Sequence, residues 1–289
     1  MICKKTSAVL ITGASSGIGA AAAKQLALNG FQVFAGVRHP EHINGSENLI
    51  QVQLDVTDPE IINRAVETIT EILNKDGVML AGVVNNATVE YHGPVEILPM
   101  KFFRHEMEVN YFGTVMVTKA FLPLLRQSRG RIVNMSSISG RCVFKSIGSN
   151  CAAKYAIEAF SDALRLELAP WGMQVSIIEP GGVATPLWKK SLQAFEDLPK
   201  HIPQEHLQLY YPFWEKSVQA ARADEEEHFQ KTMPVDRVVK TLIHALTSKK
   251  PKTRYLVGRF AKTVALLKWL LPDRLFDRFA VTEFQEQSE

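Results

Sequence analysis

The sequence predicts an α/β fold, a doubly wound parallel sheet of about seven strands with helices on both faces. Two observations carry this prediction, and a third sets its scale. Short β-branched runs alternate with longer segments of helical period, and a glycine-rich turn follows the first run directly. With 46% apolar residues over 289 positions, the chain can bury one large core. Taken in order, strand-like runs at 8–12, 32–37, 49–54 and 81–85 are interleaved with helical segments at 19–29 and 59–73. The pattern continues with a helix over 102–126, a strand at 131–135, a helix at 152–168, a strand at 174–178 and a last strand near 255–257. Such alternation predicts strands joined by crossover helices, hence parallel pairing. After Pro186 it breaks into an insertion, roughly 187–234, that carries Trp188, Phe195, Tyr210, Tyr211, Phe213 and Trp214. The chain reads as one domain over 1–289, with a core at 6–186, the insertion, and a last strand with C-terminal helices at 235–289.

Charge and cysteines exclude several classes of function. The net charge is +3, from 33 basic and 30 acidic residues spread along the chain, so there is no basic stripe for a nucleic acid backbone. The first seven residues run straight into a strand with neither a long apolar segment nor a small-residue cleavage site, which predicts a cytoplasmic protein. Cys3, Cys142 and Cys151 form neither an even disulfide set nor a metal-ligand spacing, and they read as reduced, structural thiols with no metal site. No apolar run approaches the ~18 residues of a spanning helix. Val264, Leu267, Leu270, Leu271, Leu275, Phe276 and Phe279 recur at helical spacing, with Lys262, Lys268, Arg274 and Arg278 between them. This stripe predicts a core-facing helix, with contact to a membrane surface or a partner subunit as the alternative.

The run Val9-Leu10-Ile11 leads into Thr12-Gly13-Ala14-Ser15-Ser16-Gly17-Ile18-Gly19 and then an Ala-rich helix. A strand, a glycine turn and a helix in that order make a Rossmann-type dinucleotide site, because the turn lets backbone approach a pyrophosphate at the helix N-terminus. The second strand ends in Val37-Arg38, where selection of NAD requires a carboxylate. Arg38 pairs instead with a 2′-phosphate, which favours NADP(H) over NAD(H). Asp55 and Val56, after the third strand, are placed to cap the adenine.

These residues resemble the short-chain dehydrogenase/reductase family over nearly all of 6–186. The resemblance rests on the turn 12–19, Asn85-Asn86-Ala87, Asn110, Ser136-Ser137, Lys154, Pro180-Gly181 and Thr185-Pro186. The runs 156–165 and 33–38 are similar to the branch holding steroid, retinol and hydroxybutyrate dehydrogenases. The resemblance implies a catalytic tetrad of Asn, Ser, Tyr and Lys, of which Asn110, Ser137 and Lys154 match three members. In it Tyr exchanges the proton, Lys lowers the Tyr pKa and holds the ribose, Ser orients the carbonyl, and Asn anchors a water leading to Lys. The Tyr position, four residues before Lys154, holds Asn150. An amide can donate a hydrogen bond to a carbonyl but cannot give up and regain a proton near neutral pH. Thr88 stands where the family usually has Gly. By the same resemblance, Ser15, Ser16, Ile18, Asn86, Ala87, Pro180, Gly181, Val183 and Thr185 contact the cofactor.

Three residues come forward as proton donors in place of the missing phenol. Tyr155, next to Lys154 on a helix, is rotated by about 100° and faces elsewhere. Tyr91 and His92 lie after the fourth strand, at the sheet edge where ligands bind, and Tyr91, Ser137 and Trp188 are the candidate substrate contacts. The insertion's aromatics either form a lid over a large apolar substrate or dock the insertion onto the core. The leading expectation is an NADP(H)-dependent oxidoreductase acting on a hydrophobic alcohol or ketone, slowed by Asn150, and a homodimer or homotetramer by resemblance. The alternatives keep the cofactor without turning it over. One is an isomerase, cyclase or dehydratase that polarises a carbonyl with Ser137, Asn150 and Lys154, and the other is a cofactor-binding module.

Overall fold

The computed structural model describes residues 7–40, 48–223 and 232–278. Cys3, Phe279 and positions 224–231 of the expected insertion lie outside the described residues, as does the side chain of Phe213. Seven strands, β1 (Ser7–Thr12), β2 (Gln32–Val37), β3 (Leu49–Gln53), β4 (Met79–Asn85), β5 (Arg131–Met135), β6 (Gln174–Pro180) and β7 (Arg254–Val257), form one sheet in the order β3-β2-β1-β4-β5-β6-β7. Every pairing is parallel.

The strands are apolar on both sides because both faces are covered. Val9, Ile11, Val33 and Ala35 point to one layer, where they meet Ala22, Ala23 and Leu26 of α1 (Gly17–Leu28) and Val238, Leu242 and Leu246 of α8 (Val235–Thr247). Ala8, Leu10, Phe34 and Val83 point to the other, against Ile62, Ile69 and Leu73 of α2 (Pro59–Asp76) and Val117, Phe121 and Leu125 of α4 (Gly113–Ser128). Helix α2 is bounded by local chemistry. The Asp58 carboxylate accepts from the N–H groups of Glu60 and Ile61, Pro59 opens the first turn, and Gly77 closes the helix at φ 66°.

The single helix expected over 102–126 is instead three pieces. These are α3 (Met100–Glu106), a π-helical turn at Met107–Phe112 and α4, with the buried Asn110 inside the π turn. A π turn inserts a residue into the helical ladder, which hydrophobic periodicity does not register. Helix α5 (Gly148–Leu168) packs against β6, and a partly buried ion network ties it to β6 and β7. Arg254 bonds Glu158 at 3.0 Å and Asp162 at 2.6 Å, and Arg141 bonds Glu179 at 2.6 Å. The insertion forms α6 (Pro186–Glu196), a 3₁₀ turn and α7 (Gln204–Ala223). Phe195, Leu198 and Val218 pack with Leu98, Tyr91, Phe102 and Trp214. Part of the aromatic content therefore docks the insertion, while Tyr211 remains exposed.

The C-terminal stripe divides. In and after α9 (Arg259–Leu270), Val264, Leu267, Leu271 and Phe276 pack inward, whereas Leu270 and Leu275 are exposed. Among the described residues, no helix is long and apolar enough to cross a membrane.

Candidate active site

Strands β1 and β4 are neighbours, yet the chain leaves β1 toward β2 and leaves β4 toward β5. This reversal opens a crevice at the carboxyl ends of the two strands. The turn between β1 and α1 fills its floor, and glycine is required there by space. Gly13 has φ +64°, and a Cβ on it would lie 2.8 Å from Ala87 Cα. A Cβ on Gly19 would lie 2.4 Å from the Gly13 carbonyl oxygen and 2.6 Å from Asn86 Nδ2. Asn86 locks this packing, donating from Nδ2 to the carbonyls of Thr12 at 3.0 Å and Gly13 at 3.2 Å. The Thr12 hydroxyl in turn accepts from the N–H groups of Asn86 and Ala87.

A cleft of about 510 Å³ runs over this floor. Gly13, Ser15, Ser16, Gly17 and Ile18 line one side, Arg38, Asp55 and Val56 one end, and Asn86 and Ala87 the base. Thr185, at the start of α6, overhangs Gly17, whose added Cβ would sit 3.4 Å from it. The volume lies within the range of ligand pockets, and the turn is a cradle that side chains would fill, so the residues present fit a dinucleotide. Arg38 is exposed at the end of β2, and its charge reaches Tyr91 on the far wall. One oxygen of Asp55 accepts from the Thr57 N–H at 2.9 Å and hydroxyl at 2.7 Å, which fixes the carboxylate at the cleft edge.

A polar cluster adjoins this cleft along the loop segment 88–92, after β4. Asn110 clamps that segment, its Nδ2 donating to the Val89 carbonyl at 2.8 Å while its Oδ1 accepts from the Val89 N–H at 2.9 Å. The Thr88 hydroxyl donates to Asn110 Oδ1 at 3.1 Å and accepts from Lys154 Nζ at 3.4 Å. Thr88 thus joins Asn110 to Lys154 directly. Lys154 is buried and also donates to the Met135 carbonyl at 3.1 Å. Burial lowers its pKa to about 8, against the opposing charges of Glu90, Glu106 and Glu158. Ser137 caps a short 3₁₀ turn and lies 3.4 Å from the Pro180 carbonyl that accepts from it.

Two carboxyls in the cluster escaped the sequence reading. Burial pushes Glu90 up, but the His92 imidazole, the Lys154 charge and the Asn150 amide together hold it below the usual carboxylate value. Its Oε1 lies 3.0 Å from His92 Nε2. Burial raises Glu106 to about 7, against the Tyr91 N–H, which donates to its Oε1 at 3.1 Å. A carboxylate two positions before an imidazole, in the loop after a central strand, was the available signal for Glu90. Glu106 carried none, because it sits in a segment of ordinary helical pattern.

The other sequence candidates divide between cleft wall and background. Tyr91 lines the cleft, its ring 4.5 Å from that of Phe102 and its hydroxyl 2.7 Å from His105 Nδ1. Trp188 lies with its ring 6.0 Å from that of His92. Gly19 is buried under the turn, and Pro180, Gly181 and Val183 lie beyond the cleft-lining residues at the end of β6. Tyr155 is 41% exposed and under the influence of Lys268 and Asp273, away from the cleft, as its helical rotation requires. Cys142 and Cys151 are free, buried thiols, and burial pushes Cys142 to about 12, which makes it inert.

Residues 7–195 match the family model for short chain dehydrogenase. The chain belongs to the short-chain dehydrogenase family. Its relatives among this family of oxidoreductases include estradiol 17-beta-dehydrogenase 2 of Mus musculus, 37% identical over 93% of this chain and 73% of that protein. Mitochondrial D-beta-hydroxybutyrate dehydrogenase of Bos taurus is 39% identical over 86% and 76% of the two chains. Retinol dehydrogenase 5 of Mus musculus is 37% identical over 93% and 86%. Among solved structures, a short chain dehydrogenase from Burkholderia cenocepacia in complex with NADP superimposes with a TM-score of 0.74, at 25% identity, over 96% of this chain and 98% of that one. The seven-stranded parallel sheet of this short-chain dehydrogenase is thus the family's fold.

Proposed function

We propose that this short-chain dehydrogenase is an NADP(H)-dependent oxidoreductase of hydrophobic alcohols or ketones. One observation carries the cofactor half of this reading. The glycine turn at the β1/β4 crevice leaves backbone room for a pyrophosphate, and Arg38 rather than a carboxylate closes the end where the ribose would lie. When bound, the dinucleotide supplies or accepts a hydride at its nicotinamide. Ser15, Ser16 and Gly17 hold its phosphates, Arg38 the 2′-phosphate, Asp55 and Val56 the adenine, and Lys154 and Thr185 the nicotinamide half. Lys154 is cationic at neutral pH, as a pKa of about 8 requires, and so can hold ribose hydroxyls and stabilise negative charge beside them. Ser137 orients the substrate oxygen, and Asn110 fixes the segment 88–89 through its three hydrogen bonds.

Asn150 takes the position of a proton-exchanging tyrosine, and it can only orient. General acid catalysis contributes about 10²–10⁴-fold, so its absence from position 150 slows the reaction unless another group supplies the proton. The apolar substrate is supported by Trp188, which the insertion brings beside His92, and by the names of two relatives, estradiol and retinol dehydrogenases. Helix α5 would carry the expected dimer or tetramer contacts, with Leu166 exposed on it. The test is a panel of apolar ketones and alcohols followed at the nicotinamide absorbance, with Arg38→Ala in parallel. One cofactor is expected to be consumed per product, and Arg38→Ala is expected to weaken NADPH about 10-fold while leaving NADH unchanged. Product formed with no change in absorbance would favour the isomerase, cyclase or dehydratase alternative.

A further inference from the structure

We propose that Glu90 and His92 are the proton-exchanging pair of this site, with Asn150 holding Glu90 in place. The inference rests on the oxidoreductase reading above and assigns the step that position 150 cannot perform. Residues 88–92 form part of the loop after β4, outside any helix or strand, and their contacts place Thr88, Glu90 and His92. Thr88 meets Lys154, and the Glu90 carboxylate meets His92 Nε2 at 3.0 Å, the Asn150 amide and the charge of Lys154. Glu90 also lines the cleft, together with Thr88 and the glycine turn. The Asn150 amide and the Lys154 charge therefore both favour the ionised Glu90 carboxylate. His92 lies on its other side, with its ring 6.0 Å from that of Trp188 and 6.1 Å from that of Phe195, where the insertion meets the cluster. A carboxylate and an imidazole in contact, within the field of a buried cation, can accept, store and release one proton.

In the oxidation direction, Glu90 takes the proton of the alcohol O–H as the carbinol hydrogen leaves with its electron pair for the oxidised nicotinamide dinucleotide, and the C=O bond forms. The proton on Glu90 then passes to His92 Nε2, leaving a carboxylate–imidazolium pair, and the imidazolium loses it to water. Reduction runs the same transfers backwards, with the reduced dinucleotide as hydride source. The groups that face the pair are Lys154 and Cys151 on α5 and Glu106 on α3.

The test compares the whole protein with Glu90→Gln, Glu90→Ala and His92→Gln. The readouts are kcat against pH with an apolar alcohol, dinucleotide affinity by fluorescence, and titration of the Glu90 carboxyl by NMR. Both Gln variants are expected to lower kcat by about 10²–10⁴-fold with dinucleotide affinity retained. Formate is expected to restore part of the Glu90→Ala activity, and the acidic limb of the profile is expected to vanish in His92→Gln. The Glu90 titration midpoint, read without any substrate, is expected to rise in His92→Gln because the carboxylate loses the neighbour that holds it down. Unchanged kcat in either Gln variant, an unchanged Glu90 midpoint in His92→Gln, or loss of dinucleotide binding in Glu90→Gln overturns the pair. Turnover indifferent to both residues refutes the pair alone, whereas a protein that binds dinucleotide and turns over no alcohol or ketone refutes the oxidoreductase reading and the pair with it.

Discussion

Beneath Tyr91, the fully buried Glu106 carboxyl accepts from the backbone N–H at 3.1 Å and titrates near 7, against an ordinary value of 4.5. The folded state therefore binds this proton more tightly than the unfolded chain does. Stability from Glu106 is complete below about pH 4.5 and is lost as pH rises through about 7. Thermal unfolding should accordingly show a midpoint that falls between pH 5 and pH 8, with Glu106→Gln flattening the slope and melting higher than the parent at pH 8. An identical slope in the variant would remove Glu106 as its source. At this scale the sequence was informative where chemistry depends on spacing, as with Ser137, Asn150 and Lys154. It was silent where function depends on a contact across the fold. The union of Glu90 with Asn150 spans two elements, and no local pattern announces it. Thr88, standing where the resemblance expects Gly, proves to link Lys154 to Asn110 through its hydroxyl.

Among the elements, the turn from β1 into α1 tolerates least. An alanine at Gly19 would place its Cβ against a carbonyl oxygen and the Asn86 amide, so either the turn or Asn86 must move. Gly19→Ala should weaken dinucleotide binding by at least about 10-fold and lower the melting temperature, measured by fluorescence titration and calorimetry. Unchanged affinity would mean that the turn is not the cradle. On the opposite side of the site, Arg254 bonds Glu158 and Asp162 and lies 3.7 Å from the fully buried Glu179. Arg254→Met leaves Glu158 without its counter-charge, while Asp162 keeps Arg165 and Glu179 keeps Arg141, and should cost about 2 kcal/mol in urea unfolding at neutral pH. A variant as stable as the parent would show the network to be dispensable. The strands and most helices were legible because their hydrophobic periods differ, and the glycine turn because only glycine fits it. The π turn at 107–112 was not, since it leaves no compositional mark, and yet it is the element that carries Asn110.

Across the whole molecule, the reversal of strand order between β1 and β4 gathers the turn, Arg38, Asp55 and the segment 88–91 around one cleft. Parallel βα alternation predicted the sheet, because right-handed crossovers leave few ways to stack such units. The docking of the insertion was less legible, since an aromatic facing the core and one facing a ligand have the same sequence signature. Phe195 and Trp214 prove to pack against each other and the core, while Trp188 approaches His92. The central claim is that this cleft uses its dinucleotide in hydride chemistry rather than holding it as a structural part. The direct measurement is reduction of an apolar ketone with NADPH deuterated at C4 in both positions, followed by mass spectrometry of the product. One deuterium at the former carbonyl carbon is the predicted result, and a product formed without deuterium at that carbon would contradict it.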